Sequence, residues 1–306
     1  MADNFNATGR GKLIVFGEHG VVYGRPAIAC SLSQGAMTTM QKAAQSRWVI
    51  GGPDGPLKID EHMKRAAQAL LDHFDLDAGR LHVEVEISIP VGAGLGSSAA
   101  LAVSLARAAA ALSGRDDLET VHRAVAAAEE VFHGNPSGID QYAAMGGGFF
   151  RFRRAHGDPS FQPLDVASHP WLVARVGPSQ STSEMVSQVA ARTERQPKVM
   201  ESIFDDMGAI ADSGATALRD GRWSQVGELM NISQGLLNAI GVSTPELEAA
   251  CSTARRAGAL GAKLTGAGGG GCIAVLPGDD AAAVEEALRP YGDVFTFHLP
   301  DPGTSP

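Results

Sequence analysis

Two domains that mix strands with helices are what this sequence predicts, on three observations. The chain has 306 residues, more than one ordinary hydrophobic core organises and comfortable for two. Apolar stretches of strand length and stretches of helical period follow one another along nearly all of it. A polar segment at 153–169, with Pro159 and Pro163, separates a half built around one glycine-rich loop from a half that carries another. The boundary is placed to give domains 1–170 and 171–306. Hydrophobic residues make up 44% of the chain and charged residues 19%, a balance that folds as a globular protein.

The elements follow in order. Residues 12–16 form a short apolar strand, and Gly17-Glu-His-Gly20 turns after it. Lys12, Glu18 and His19 therefore crowd the two ends of one core strand. Residues 26–30, 35–42 and 48–50 read as strands, and Gly51 to Pro56 as a turn cluster. Residues 59–74 have the period of an amphipathic helix. Residues 81–89 alternate with period two, as a half-buried strand does. Helices are expected over 99–112 and 117–132, and a strand over 149–152. In the second half a strand at 171–176 precedes helices at 183–192, 199–213, 223–240 and 244–257. The last has Thr244 as its cap and Pro245 in the first turn. A second glycine loop, Lys263 to Gly271, feeds a strand at 272–276. A helix at 281–288 and a strand at 294–299 close the chain. Ala and Gly abound, so helices are expected to pack closely on small side chains.

Composition excludes several partners. The net charge is −9, with no basic run or basic helix face, which argues against nucleic acid or an anionic membrane. No apolar run reaches membrane-spanning length. The first residues lack the basic start and apolar stretch of a signal peptide. Cys30, Cys251 and Cys272 are far apart and read as buried thiols in a reducing compartment, so a cytoplasmic location is expected.

The chain is organised around Pro90-Val-Gly-Ala-Gly-Leu-Gly-Ser-Ser98. Gly92, Gly94 and Gly96 leave little side-chain bulk, so backbone N–H groups there can close on an anion. The helix that follows aims its positive end at the same place. Ser97 and Ser98 stand at that end, able to cap it or to touch a phosphate or its metal. The loop matches neither common cradle: Gly96 replaces the P-loop lysine, and Gly92-x-Gly94-x-Gly96 is not G-x-G-x-x-G. Gly266 to Gly271 does fit that second pattern but is discounted, because it leads into a strand.

Two carboxylates stand out. In the 117–132 helix, Leu118, Val121, Val125 and Phe132 form the apolar stripe, and Glu129 lies only about 40° from Val125 at about 100° per residue. Glu130 falls about 140° away, on the wet side. A carboxylate on a core face is costly without a cation or hydrogen bonds, so Glu129 is a candidate metal ligand. Asp140 ends the turn His133-Gly-Asn-Pro-Ser-Gly-Ile-Asp140 and stands near the positive end of a short helix.

Three stretches, Gly11-Lys-Leu-Ile-Val-Phe-Gly-Glu-His19, Pro90 to Ala100 and Lys263-Leu-Thr-Gly-Ala-Gly-Gly-Gly-Gly-Cys272, resemble in order and spacing the GHMP small-molecule kinases. The stretch His133 to Gln141 and the Leu-Thr-Gly-Ala-Gly-Gly-Gly-Gly form of the last loop look like the mevalonate kinase branch of that family. The resemblance implies an α+β fold with an N-terminal ATP-binding domain of ribosomal-protein-S5 type and a ferredoxin-like C-terminal domain. It implies ATP as co-substrate along Pro90, Gly92, Ala93, Gly94, Leu95, Gly96, Ser97 and Ser98. Mevalonate would lie between the domains, phosphorylated on its primary hydroxyl as a step toward isoprenoid precursors. Asp140 matches the catalytic acid and Lys12 the active-site lysine. Ser98 and Glu129 match the Mg²⁺ ligands, and Glu18, His19 and Gly268 fall where the family meets its substrate. A homodimer is the assembly the resemblance raises. The chain is short for a mevalonate kinase. Gln180 stands where several relatives carry a basic residue, and the 177–183 loop receives no role. Another kinase of the family, acting for example on phosphomevalonate, and a non-catalytic ligand-binding relative stay as alternatives.

Overall fold

A computed structural model describes residues 4–133, 138–154 and 159–299, with only the backbone of His133. The first sheet is built on β2 (Ala27–Lys42), which carries β1 (Phe5–Phe16) along one edge. Its other edge pairs first with β6 (Phe149–Arg153) and then with β5 (Leu81–Ile87). Outside β5 lie β3 (Arg47–Gly52), parallel to it, and the short β4 (Gly55–Pro56). Beyond β6 lies β7 (Ser160–Leu164).

Two expectations are corrected here. Residues 26–30 and 35–42 are one strand and not two. The register slips between the pairs Arg10–Gly35 and Lys12–Ser31, so that Gly11 alone faces three residues of β2. Residues 32–34 are that bulge, which breaks the alternation without ending the strand. The polar segment 153–169 also contains β7, an edge strand exposed enough to hold Pro163.

The helices of the first half are α1 (Glu61–Leu71), α2 (Ser97–Ser113), α3 (Leu118–His133) and α4 (Ile139–Ala144). α2 is buried along most of its length. Its alanines let β1 approach closely: a Cβ on Gly9 would lie 2.1 Å from the Ala100 carbonyl oxygen. On α3, Val121 and Val125 are buried as the stripe requires, but Leu118 is 64% exposed, because the first turn overhangs the core.

The second sheet has the antiparallel order β11 (Val294–Leu299), β8 (His169–Arg175), β10 (Cys272–Leu276), β9 (Gly261–Thr265). Around it stand α5 (Thr182–Arg195), α6 (Pro197–Arg219), α7 (Trp223–Ala239), α8 (Pro245–Arg256) and α9 (Ala281–Leu288). β8 shows how the halves join. Trp171 and Val173 belong to the large apolar cluster that includes Leu13 and Phe16 of β1, whereas Leu172 and Ala174 join a separate cluster with Met185, Phe204 and Leu247. Period-two alternation thus gives β8 one face for each core. The three cysteines are buried and unpaired. Among the described residues no helix is long and apolar enough to cross a membrane.

Candidate active site

The glycine loop after β5 has a regular form. Gly92, Gly94 and Gly96 have φ of 73°, 82° and 74°, while the intervening Ala93 and Leu95 are buried and anchor the loop. Backbone whose φ alternates in sign in this way can turn N–H groups toward one concavity, which suits an anion. Gly96 is the N-cap of α2 and, having no side chain, gives that helix no side-chain cap, so neither serine is its N-cap residue. Ser97 and Ser98 are instead its first two residues, at the positive end.

β1 runs beside this loop. The Lys12 N–H donates to the Leu95 carbonyl at 2.8 Å. The Lys12 ammonium then reaches Asp140 Oδ1 at 2.6 Å. Asp140 lies in the first turn of α4, whose N-cap Gly138 has φ of 85°. The turn that carries the fourth family stretch, 134–137, lies outside the described residues. Gly96 has a second constraint besides its φ: a Cβ there would stand 2.8 Å from Lys12 Cγ. Gly96→Val is therefore expected to move Lys12 and, if the loop binds an anion such as a nucleotide phosphate, to lower that affinity at least about tenfold, the scale of one strained backbone residue. Calorimetry checks this, and an unchanged affinity would reduce the loop to a tight turn.

Glu129 on α3 is 1% exposed, while Glu130 faces solvent, as the stripe argument requires. Burial first, and then the nearby Asp140 carboxylate, push the Glu129 acid up to about 7, with Lys12 opposing. Among the described residues no cluster of three or more His, Cys, Asp or Glu has metal-site geometry. Mg²⁺ does not ask for one, since it keeps waters and takes one or two protein oxygens beside phosphates. A buried carboxylate pressed by a second negative group, with Ser98 at the helix end, fits that demand.

The far end of β1 meets the second glycine loop. Glu18, 1% exposed, pairs with the Lys263 ammonium, which is wholly buried in β9. Lys263 Nζ also donates to the Leu264 carbonyl at 2.7 Å. Burial raises the Glu18 acid and Lys263 partly offsets the rise. His19 holds an uncommon φ of 59° and its Nε2 donates to the Ala267 carbonyl at 2.8 Å; burial lowers its basicity, and the hydrogen bond to Ala267 opposes that. The Thr265 hydroxyl accepts from the Ile14 N–H and donates to the Ile14 carbonyl. Gly268 is packed against the α7–α8 connection, where a Cβ would lie 2.2 Å from the Val242 oxygen.

The structure thus gathers Lys12, Asp140, Glu129 and the 90–98 loop at the middle of β1, and Glu18 and His19 just past its C-terminal end with Ala267; Lys12 does not stand at a strand end as expected, because β1 begins at Phe5. Lys263 was not singled out from sequence. Its signal was present: a lysine in the middle of an apolar strand, Ala262-Lys-Leu264, needs a buried partner. The second glycine loop joins β9 to β10 as a hairpin, so it does follow a strand; it is still no dinucleotide site, because no helix opens from it.

Comparison with known proteins gives the family and the fold. The model of the GHMP kinases N terminal domain matches residues 61–148, and that of the GHMP kinases C terminal matches residues 215–293. A mevalonate kinase of Pyrococcus abyssi is 35% identical over 94% of this chain and 92% of its own length. That of Archaeoglobus fulgidus is 36% identical over 87% and 90%. Against these relatives the chain is not short. The crystal structure of L. major mevalonate kinase in complex with R-mevalonate superposes with a TM-score of 0.86 at 28% identity, over 97% of this chain and 96% of that one. The Methanococcus jannaschii mevalonate kinase, at 20% identity and a TM-score of 0.80 over 98% and 99%, shares the fold. The chain belongs to the GHMP kinase family, and within it is most like the mevalonate kinases.

Proposed function

We propose that this protein transfers the γ-phosphoryl group of ATP to the primary hydroxyl of mevalonate, giving phosphomevalonate and ADP. The observation that carries the reading is the Lys12–Asp140 pair, 2.6 Å apart and tied through Lys12 to the anion-suited loop. Phosphoryl transfer needs positioning and charge stabilisation more than covalent help. The loop N–H groups and the α2 end bind the triphosphate. Asp140 takes the proton of the attacking hydroxyl. Lys12 orients Asp140 and offsets negative charge at the transferring group. Glu129 and Ser98 would hold Mg²⁺, which when bound neutralises triphosphate charge. The acceptor would lie toward Glu18, His19 and Gly268. Residues 1–170 would serve as the ATP-binding domain and 171–306 as the second domain. Three buried free thiols suit the cytoplasm, and the product suits isoprenoid precursor synthesis.

A coupled ADP-release assay across mevalonate, phosphomevalonate, homoserine and galactose tests the reading. Turnover with mevalonate above the other three is expected. ATP binding with no turnover of any of them would favour a ligand-binding relative. Glu129→Gln should raise the Mg²⁺ requirement and depress turnover with the fold intact, while Glu130→Gln is near silent. The acid must be ionised to bind a cation, so the Mg²⁺ requirement of the unmutated protein should climb as pH falls below about 7. Equal effects of the two Gln variants would remove Glu129 from the metal site.

A further inference from the structure

The 177–183 loop and Gly269, Gly270 and Gly271 of the second loop are left without a part in the chemistry above. They meet in the structure, and they meet at the phosphate loop. The segment that leaves β8 is held at both ends. At its start Arg175 donates to the Asp54 carboxylate at 2.8 Å. At its end Ser181 and Glu184 cap α5 reciprocally.

Between these ends it is bonded to both glycine loops. The Val176 N–H donates to the Gly271 carbonyl at 2.6 Å, and the Gln180 N–H to the Gly269 carbonyl at 3.1 Å. The Ser179 hydroxyl donates to the carbonyl of Gly92, the first glycine of the phosphate loop. The layer has no room for side chains. A Cβ on Gly270 would lie 2.0 Å from the Pro178 oxygen, one on Gly271 3.2 Å from Ser179 Cβ, and one on Gly269 3.0 Å from Gln180 Cβ. The second loop is glycine-rich here because a chain segment lies on it.

From this contact we infer that Ser179 is a positioning residue for nucleotide binding: by holding the Gly92 carbonyl it sets the direction of a phosphate-loop N–H. In a trans peptide the C=O and the following N–H point in opposite directions. A carbonyl turned to Ser179 therefore turns the Ala93 N–H to the other side of the same plane. An anion cradle works through the directions of such N–H groups, so a peptide free to rotate is a weaker donor. Ser179 would act through Gly92 and never touch the nucleotide. It would couple the position of the second glycine loop, and with it the β9–β10 hairpin, to the affinity for ATP.

The inference rests on the proposed ATP site but not on the acceptor, and the experiment keeps the two apart. ATP binding to the full-length protein is measured by titration calorimetry with magnesium present, for wild type, Ser179→Ala and Ser179→Thr. Loss of one hydrogen bond should weaken ATP about 3–10-fold in Ser179→Ala. Ser179→Thr keeps the hydroxyl and should stay within about twofold of wild type. In steady-state kinetics Ser179→Ala should raise the KM for ATP and leave that for mevalonate and kcat in place. Wild-type ATP affinity in Ser179→Ala overturns the inference. So does a Ser179→Thr variant as weak as the Ala variant, which would make bulk and not the hydroxyl the cause. A protein that binds ATP in this pattern yet phosphorylates no mevalonate would overturn the acceptor assignment alone.

Discussion

Asp140→Asn should lower kcat at least about 100-fold while ATP affinity barely moves. General-base assistance is worth about 10²–10⁴-fold, and Asn keeps the shape of the side chain but not its charge or basicity. In the proposed mechanism the loop and the α2 end hold the triphosphate, so nucleotide binding has little reason to change. Lys12→Met should also depress kcat. The Lys12 ammonium and Asp140 Oδ1 are 2.6 Å apart, so each variant disables the other's partner. The double variant should therefore fall far short of the product of the two losses. Steady-state kinetics with mevalonate, beside ATP titrations of each variant, measures both effects. A wild-type kcat in Asp140→Asn would take this carboxylate out of the mechanism.

Lys263→Met should destabilise the protein by about 3–5 kcal/mol, the cost of breaking a buried pair from one side. Lys263 is wholly buried and Glu18 is 1% exposed, so solvent cannot replace the lost partner. The remaining carboxylate must stay charged in an apolar place or take up a proton. Glu18→Gln combined with Lys263→Met removes both charges and should recover much of the loss, because the penalty lies in the orphaned charge and not in the absent bond. Urea unfolding of the two single variants and the double variant measures this. Equal stability of Lys263→Met and wild type would mean that the pair is no closure between the β1 end and β9.

What the sequence determined by itself was mostly local. The form of the 90–98 loop was legible because three alternating glycines after a period-two strand and before a helix admit few backbone forms, and all three have positive φ. Glu129 was legible because helical geometry places a residue on a face whatever the rest of the chain does. Asp140 and Lys12 each stood out locally, but their roles came from resemblance, since nothing in the spacing of residues 128 apart says that they touch. Periodicity failed where the local rule was interrupted or overruled. The β2 bulge looked like the end of a strand, β7 looked like a linker because an edge strand tolerates proline and polar residues, and Leu118 looked buried because a stripe does not say where a core stops. Tertiary structure alone decided the pairings: Lys12 with Asp140, Lys263 with Glu18, His19 with Ala267, Ser179 with Gly92. Each joins segments far apart in the chain, and such contacts form only when two sheets and their helices have packed, because burial and not local propensity selects the partner of a charge or a hydroxyl.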